Sequence, residues 1–194
     1  MNRRGRQLHL ERARDPDCRR CQLYKSSKNV CVLGRGNPMS PIMAVGEALG
    51  ATEERTGKPF MGRAGKLLDR CTGILCISHL VYVTNIVHCR PPDNKDPTKK
   101  EIDTCIEYLK EEVAIVQPKI VLLMGRTAIK AFGFGSDVNA TSSYFYCEGW
   151  PGAYIKGTWH PAYCLRRGRE PTKQLLEALK WAKEMVTCVS TQTH

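Results

Sequence analysis

The sequence predicts an α/β protein: a three-layer sandwich with a central, mostly parallel four-stranded sheet and helices on both faces. Two observations carry this. Strand-sized apolar runs alternate with segments whose apolar residues recur at helical spacing. The runs are near-continuous rather than alternating, which is the pattern of strands buried on both faces. Composition agrees: 42% hydrophobic and 25% charged residues over 194 positions supply a core and exclude a disordered, collagen-like or fibrous chain. Residues 1–194 are expected to form a single domain that begins with a basic N-terminal arm at 1–17.

The elements follow in order. Ile42-Met43-Ala44-Val45, stopped by Gly46, is the first strand. Gly65 to Leu75 carries Leu67, Leu68, Cys71 and Leu75 at helical spacing. Leu80 to Val87 is rich in β-branched residues and reads as the second strand. Asp96-Pro97 then breaks the chain, and Thr98-Lys-Lys-Glu101 fits a capping box. Behind it Ile102, Cys105, Ile106, Leu109, Val113 and Val116 form one apolar stripe that Pro118 ends. Ile120 to Met124 is the third strand, closed by Gly125, and Thr127 to Phe132 a short helix. Residues 133–152 read as loop or hairpin, Ala153 to Trp159 as the fourth strand, and Pro171 to Met185 as a last amphipathic helix.

The formal charge is +11, from 30 Lys and Arg against 19 Asp and Glu, which favours a polyanionic partner: nucleic acid or an anionic membrane surface. No stretch approaches the roughly 18 apolar residues of a spanning helix. The opening MNRRGRQLHLERARD has no apolar segment behind it, so no secretory signal is expected, and Glu11 and Asp15 argue against an organelle transit peptide. A cytoplasmic protein without membrane attachment is the expectation, and nothing calls for more than a monomer. Ten cysteines in that setting are thiols or metal ligands rather than a disulfide framework. Cys18 and Cys21 form a C-x2-C pair, while Cys89 and Cys105 lie 16 residues apart. Four such thiolates suit a structural zinc or an iron–sulfur cluster, and spacing does not choose; Cys105 serves equally as a small core residue. Cys31, Cys71, Cys76, Cys147, Cys164 and Cys188 read as buried or spectator thiols.

In parallel α/β sheets the site lies outside the carboxyl ends of the strands. That rule gathers Glu47, Asn85 and His160 at one sheet edge. The motifs around them, in order, are Cys18-x2-Cys21, Gly34-x-Gly36-Asn37-Pro38, Val45-Gly-Glu-Ala-Leu-Gly50, Gly57-Lys-Pro-Phe-Met-Gly-Arg-Ala-Gly65, Val81-Tyr-Val-Thr-Asn-Ile-Val-His-Cys-Arg-Pro-Pro92 and His160-Pro-Ala-Tyr-Cys-Leu-Arg166. Together they resemble the family 4 uracil-DNA glycosylases, over residues 18–183. The resemblance implies the uracil-DNA glycosylase-like fold and the removal of uracil from DNA, single- or double-stranded, in base excision repair. It also implies a structural [4Fe–4S] cluster on Cys18, Cys21, Cys89 and Cys105, with zinc as the minor alternative, and it would hold Arg19 and Arg20 close to bound DNA.

The chemistry assigns roles to particular residues. Uracil must leave the stack to be reached. Phe60, in a Gly- and Pro-containing loop, is the candidate stacking platform, with a core phenylalanine as the alternative. Asn85 can pair its acceptor and donor with uracil N3–H and O4, where cytosine presents the reverse pair; satisfying backbone groups at a strand end is its plainer role. His160 is placed to donate to uracil O2 as the base leaves as an anion, unless it is a structural histidine before a proline. The water that attacks C1′ must also be placed, and Glu47 and Glu53 are the candidate catalytic carboxylates. By the resemblance Gly46, Glu47 and Ala48 line the pocket, while Glu53 lies near the base and excludes the thymine methyl; Glu53 as the water-orienting base stands equal to a merely solvated loop carboxylate. Arg166, Arg167 and Arg169, and the arm residues Arg3, Arg4, Arg6, Arg12 and Arg14, are candidates for phosphates. Tyr163 and Leu165 are candidates to fill the gap left by the flipped base.

Two positions depart from the family pattern: Leu49 replaces a usual proline and Cys164 a usual aliphatic residue. Leu49 would loosen the turn that aims backbone groups at the base. No long basic insertion follows the second strand, so residues 88–100 match the hydrolytic type. The other readings are a non-catalytic uracil-DNA or nucleic-acid-binding module of the same fold, and a zinc-stapled nucleotide-binding protein.

Overall fold

A computed structural model describes residues 1–135, 137–138, 141–147 and 150–191, with side chains omitted at 141–151 and 190–191. Five strands form one sheet in the order β2-β1-β3-β5-β4. The strands are β1 (Ile42–Gly46), β2 (Val81–Asn85), β3 (Ile120–Met124), β4 (Thr141–Cys147) and β5 (Trp150–Thr158). The pairs β1–β2, β1–β3 and β3–β5 are parallel, which is the expected four-stranded sheet. The antiparallel edge strand β4 comes from the segment read as loop or hairpin. The second strand is shorter than expected: it ends at Asn85, and the chain then turns away toward Cys89.

Alternation along the strands builds two cores. Met43, Val45, Tyr82, Val121 and Leu123 pack under α4 (Lys99–Val116). Ile42, Ala44, Val81, Val83, Ile120, Leu122 and Met124 face the opposite layer, with Leu68 and Cys71 of α3 (Arg63–Ile74) and Leu175, Ala178 and Leu179 of α7 (Arg169–Thr191). Period two on a sheet and period 3.6 on its helices thus meet at both interfaces. The capping box of α4 is formed: Thr98 Oγ1 accepts from Glu101 N and Glu101 returns the bond to Thr98 N.

The stripe of α4 contains one residue that the apolar reading passed over. Glu112 is fully buried and accepts from Tyr82 Oη (2.7 Å), Thr84 Oγ1 (2.5 Å) and Gly34 N (2.5 Å), with His88 Nε2 at 3.0 Å. Such a carboxylate is tolerated because its lone pairs are filled.

Three helices were not anticipated. The basic arm contains α1 (Arg3–Ala13), started by Asn2 as N-cap and laid across α4. Arg6, a candidate for phosphates, instead donates to Val116 O, Gln117 Oε1 (2.8 Å) and Pro38 O (3.3 Å), closing the carboxyl end of α4. The loop after β1 contains α2 (Ala51–Thr56), and the His-Pro motif opens α6 (Pro161–Arg167). The short helix after β3 is α5 (Arg126–Ala131).

Candidate active site

At the carboxyl edge of the sheet Gly46 ends β1 beside its register partner Asn85 on β2. A Cβ at Gly46 would lie 2.6 Å from Asn85 Oδ1 and 2.6 Å from Phe60 Cζ, so only glycine lets the amide and the ring approach here. Asn85 is buried, and its Oδ1 has no hydrogen-bond partner. A shielded, unpaired acceptor is costly, typically about 1–3 kcal/mol, and a ligand N–H would relieve it. Asn85 lies behind Gly46 and Phe60 rather than on the open wall of the adjoining cleft.

That cleft has a volume of about 490 Å³ and is lined by Glu47, Ala48, Leu49, Glu53, Phe60 and His160, among others. The Phe60 and His160 rings stand 5.8 Å apart at 37°. His160 follows β5 and is the N-cap of α6, where its Nδ1 accepts from Ala162 N at 3.1 Å. Burial, assisted by the Arg166 charge and opposed by Glu53, pushes the imidazole down to about 4. The ring is therefore neutral at pH 7. With Nδ1 occupied as an acceptor, the proton resides on Nε2, which makes His160 an uncharged donor. Asn85, Phe60 and His160, which lie far apart in the chain, do converge.

Glu47 accepts from Thr127 Oγ1 at 2.5 Å. Its pKa is raised by burial and by Asp96, against the Thr127 bond and Arg166, so it is a carboxylate disposed to take a proton. Glu53 is placed differently. Its Oε1 accepts from Met61 N (2.9 Å) and Gly62 N (2.7 Å), bracing the loop that carries Phe60. Leu49, the departure from proline, is buried against the same cleft.

On α6 Leu165, Arg166 and Arg167 are exposed, whereas Tyr163 is half-buried and stacked on Trp159 at 4.3 Å and 13°. Arg126 and Arg167 flank this stack, each 6.0 Å from a ring centre. Of the two candidate wedge residues Leu165 is thus the freer, while Tyr163 is part of a cationic aromatic shelf. Thr127, Asp96, Arg126 and Trp159 also line the cleft and carry no site assignment from sequence, although Thr127 and Arg126 follow a strand end and obey the same edge rule as Glu47.

Cys18, Cys21, Cys89 and Cys105 line one small cavity at the other side of the β2 carboxyl end. Cys31, read as a spectator, lies on the same wall, its Sγ accepting from Asp15 N at 3.3 Å. Cys105 Sγ accepts from His88 N at 3.3 Å. Burial pushes the Cys89 thiol up to about 12 and raises Cys21 as well, whereas hydrogen bonding to His88 lowers Cys105 against the effect of its burial. Among the described residues no three such groups already stand at metal-binding geometry; the thiols surround a space without closing on a point. The donor set fits a four-thiolate centre. Arg20 covers it from outside, 4.5 Å over the Tyr108 ring, so Arg20 is engaged with the protein. The Cys147 side chain lies outside the described residues, and Cys71 and Cys164 are core thiols.

The sequence is similar to those of known proteins. A family model described as the uracil DNA glycosylase superfamily matches residues 33–183. A type-4 uracil-DNA glycosylase of Thermotoga maritima is 37% identical over 175 residues, covering 87% of this chain and 89% of its own. One from Archaeoglobus fulgidus is 36% identical over 159 residues, covering 77% and 79%. A type-5 uracil-DNA glycosylase of Pyrobaculum aerophilum is more distant, 28% identical over 189 residues with 79% of each chain covered. A family match over most of the chain and 37% identity to a relative covered almost end to end show that this chain belongs to the uracil-DNA glycosylase superfamily, within it to the type-4 family.

Proposed function

We propose that this chain is a DNA repair glycosylase that takes uracil out of the helical stack and hydrolyses its N-glycosidic bond, leaving an abasic site. The observation that carries the reading is the neutral, Nε2-protonated His160 on the wall of the cleft, 5.8 Å from the Phe60 ring, with the unpaired Asn85 Oδ1 behind that ring. Asn85 Oδ1 accepts uracil N3–H, and its amide nitrogen donates to O4. The Phe60 ring swings to lie against the base, which restores about 1–3 kcal/mol of the stacking lost on extrusion. As the bond to C1′ breaks, negative charge grows at O2 and meets the Nε2–H of His160. A neutral donor suits this step, because it stabilises the developing anion without first forming a tight pair with the ground state. Glu47, raised in pKa and held by Thr127, takes a proton from the attacking water. Glu53 serves by fixing the Phe60 loop, and Gly46 and Ala48 form the floor and rim.

Arg166 and Arg167 bind phosphates beside the cleft, and Leu165 enters the gap left by the nucleotide. Cys18, Cys21, Cys89 and Cys105 would hold a [4Fe–4S] cluster, and through these four residues the segment around Cys18 and Cys21 would be tied to the chain after β2 and to α4. The protein acts as a monomer of one domain, in the cytoplasm; no helix among the described residues is long and apolar enough to cross a membrane.

The test is base release from oligonucleotides containing one uracil, single- and double-stranded, read as alkali-labile cleavage, with thymine and hypoxanthine substrates beside them. Cleavage at uracil alone supports the reading. Tight binding to uracil-DNA without release selects the non-catalytic module instead.

A further inference from the structure

Phe60 carries its ring on a backbone that a phenylalanine rarely adopts, φ +54, in the left-handed region. Something must hold it there. Arg35 does so from 25 residues away: its Nε donates to Pro59 O (3.0 Å) and its Nη2 to Phe60 O (3.1 Å) and to Asp69 Oδ1 (2.7 Å). The planar guanidinium thus grips two successive carbonyls of the strained turn while a carboxylate on α3 fixes its own orientation. The same residue is tied by its backbone to β2, since Arg35 N donates to Val83 O and Val83 N to Arg35 O, each at 2.8 Å. Val83 precedes Asn85 by two positions, on the same strand. From the other side Gly65 closes on the turn: a Cβ there would lie 1.8 Å from Phe60 O.

We propose that Arg35 is a positioning residue for the base pocket, which sets the backbone of Phe60 relative to Asn85 so that the ring moves only by side-chain rotation when a base enters. It touches no reacting atom. It links the strand that carries the base-reading amide to the loop that carries the stacking ring, through one rigid fork. This rests on the uracil-excision reading for its consequence in rate, but the geometry of the turn is a property of the chain alone.

The variants are Arg35→Lys, which retains charge opposite Asp69 but has no fork, and Asp69→Asn, which retains the fork with a weaker brace. Three quantities are read: single-turnover uracil release, inhibition by free uracil, and amide exchange at Met61 and Gly62. Arg35→Lys is expected to slow release by about 100-fold, the cost of a pocket misplaced by about 1 Å. It is also expected to weaken inhibition by free uracil and to speed exchange at both amides, with Asp69→Asn intermediate. Wild-type rate and wild-type uracil inhibition in Arg35→Lys overturn the proposal. So does a loss of rate that tracks a fall in melting temperature while uracil inhibition is unchanged, because that is a merely structural role. If the wild-type protein releases no uracil, the excision reading fails on its own. Exchange at Met61 and Gly62 then still decides whether Arg35 holds the turn.

Discussion

His160→Asn separates the two duties of that histidine. Asparagine is a favoured N-cap, and its Oδ1 takes the place of Nδ1 as acceptor for Ala162 N, so α6 keeps its start. What it lacks is a group reaching the position of Nε2. Loss of one preorganised donor to a developing oxyanion costs about 2.7–4 kcal/mol, or roughly 100- to 1,000-fold in rate. Single-turnover uracil release is expected to fall by that factor, while thermal unfolding changes little. The pH profile gives a second reading of the same atom. The imidazole lies at about 4 instead of 6.5, which corresponds to roughly 3 kcal/mol held against its charged form. Below about pH 6.5 the unfolded chain takes up the proton while the folded one does not. The contribution of His160 to stability is therefore complete above 6.5 and is lost as pH falls toward 4. In wild type the limb of the rate profile that belongs to His160 lies near pH 4; in His160→Asn it is absent. A variant within a few-fold of the wild-type rate, or a wild-type limb at the ordinary histidine pH that vanishes in the variant, would refute the neutral-donor argument.

Other predictions follow from the same site. Glu47→Gln is expected to slow release by about 100-fold or more, within the range of a lost general base. It should also remove an acidic limb that lies above the ordinary carboxylate range, because the wild-type carboxylate is raised in pKa and must be deprotonated to act; the check is a pH series on both proteins. Gly46→Ala puts a methyl 2.6 Å from both Asn85 Oδ1 and Phe60 Cζ, so free uracil should cease to inhibit while the fold melts within a few degrees of wild type. The purified protein should be brown, and removal of iron by oxidation with a chelator should bleach it and lower its melting temperature. Cys105→Ala should reproduce both effects.

Much of this was legible because it depends on periodicity and on chain ends. β1 and β3 are unbroken apolar runs that cannot be exposed on either face, and α4 announces itself with a capping box and a stripe. The edge rule then placed Glu47, Asn85 and His160 together without any contact being known. What stayed hidden depends on distant partners. The helix α1 has almost no apolar face, burying only Leu10, and it is anchored by Arg6 at the far end of α4, over a hundred residues on. The helix α6 is short and capped by a histidine, an uncommon cap. Glu53 reads from sequence as a water-orienting base or a solvated loop carboxylate, because the groups it actually serves are backbone N–H donors eight and nine residues away. Glu112 was the exception: it stands seven residues after Cys105, on the apolar stripe itself, and a charge there signals a buried network. Cys31 carried no such signal, since only the fold brings it to the wall formed by the other four thiols.

The most direct test of the central claim is a crystal structure of the protein with uracil bound. The base is expected against the Phe60 ring, with N3 within about 3.2 Å of Asn85 Oδ1 and O2 within the same reach of His160 Nε2. Uracil lodged elsewhere, or bound with O2 facing away from His160, would contradict that claim.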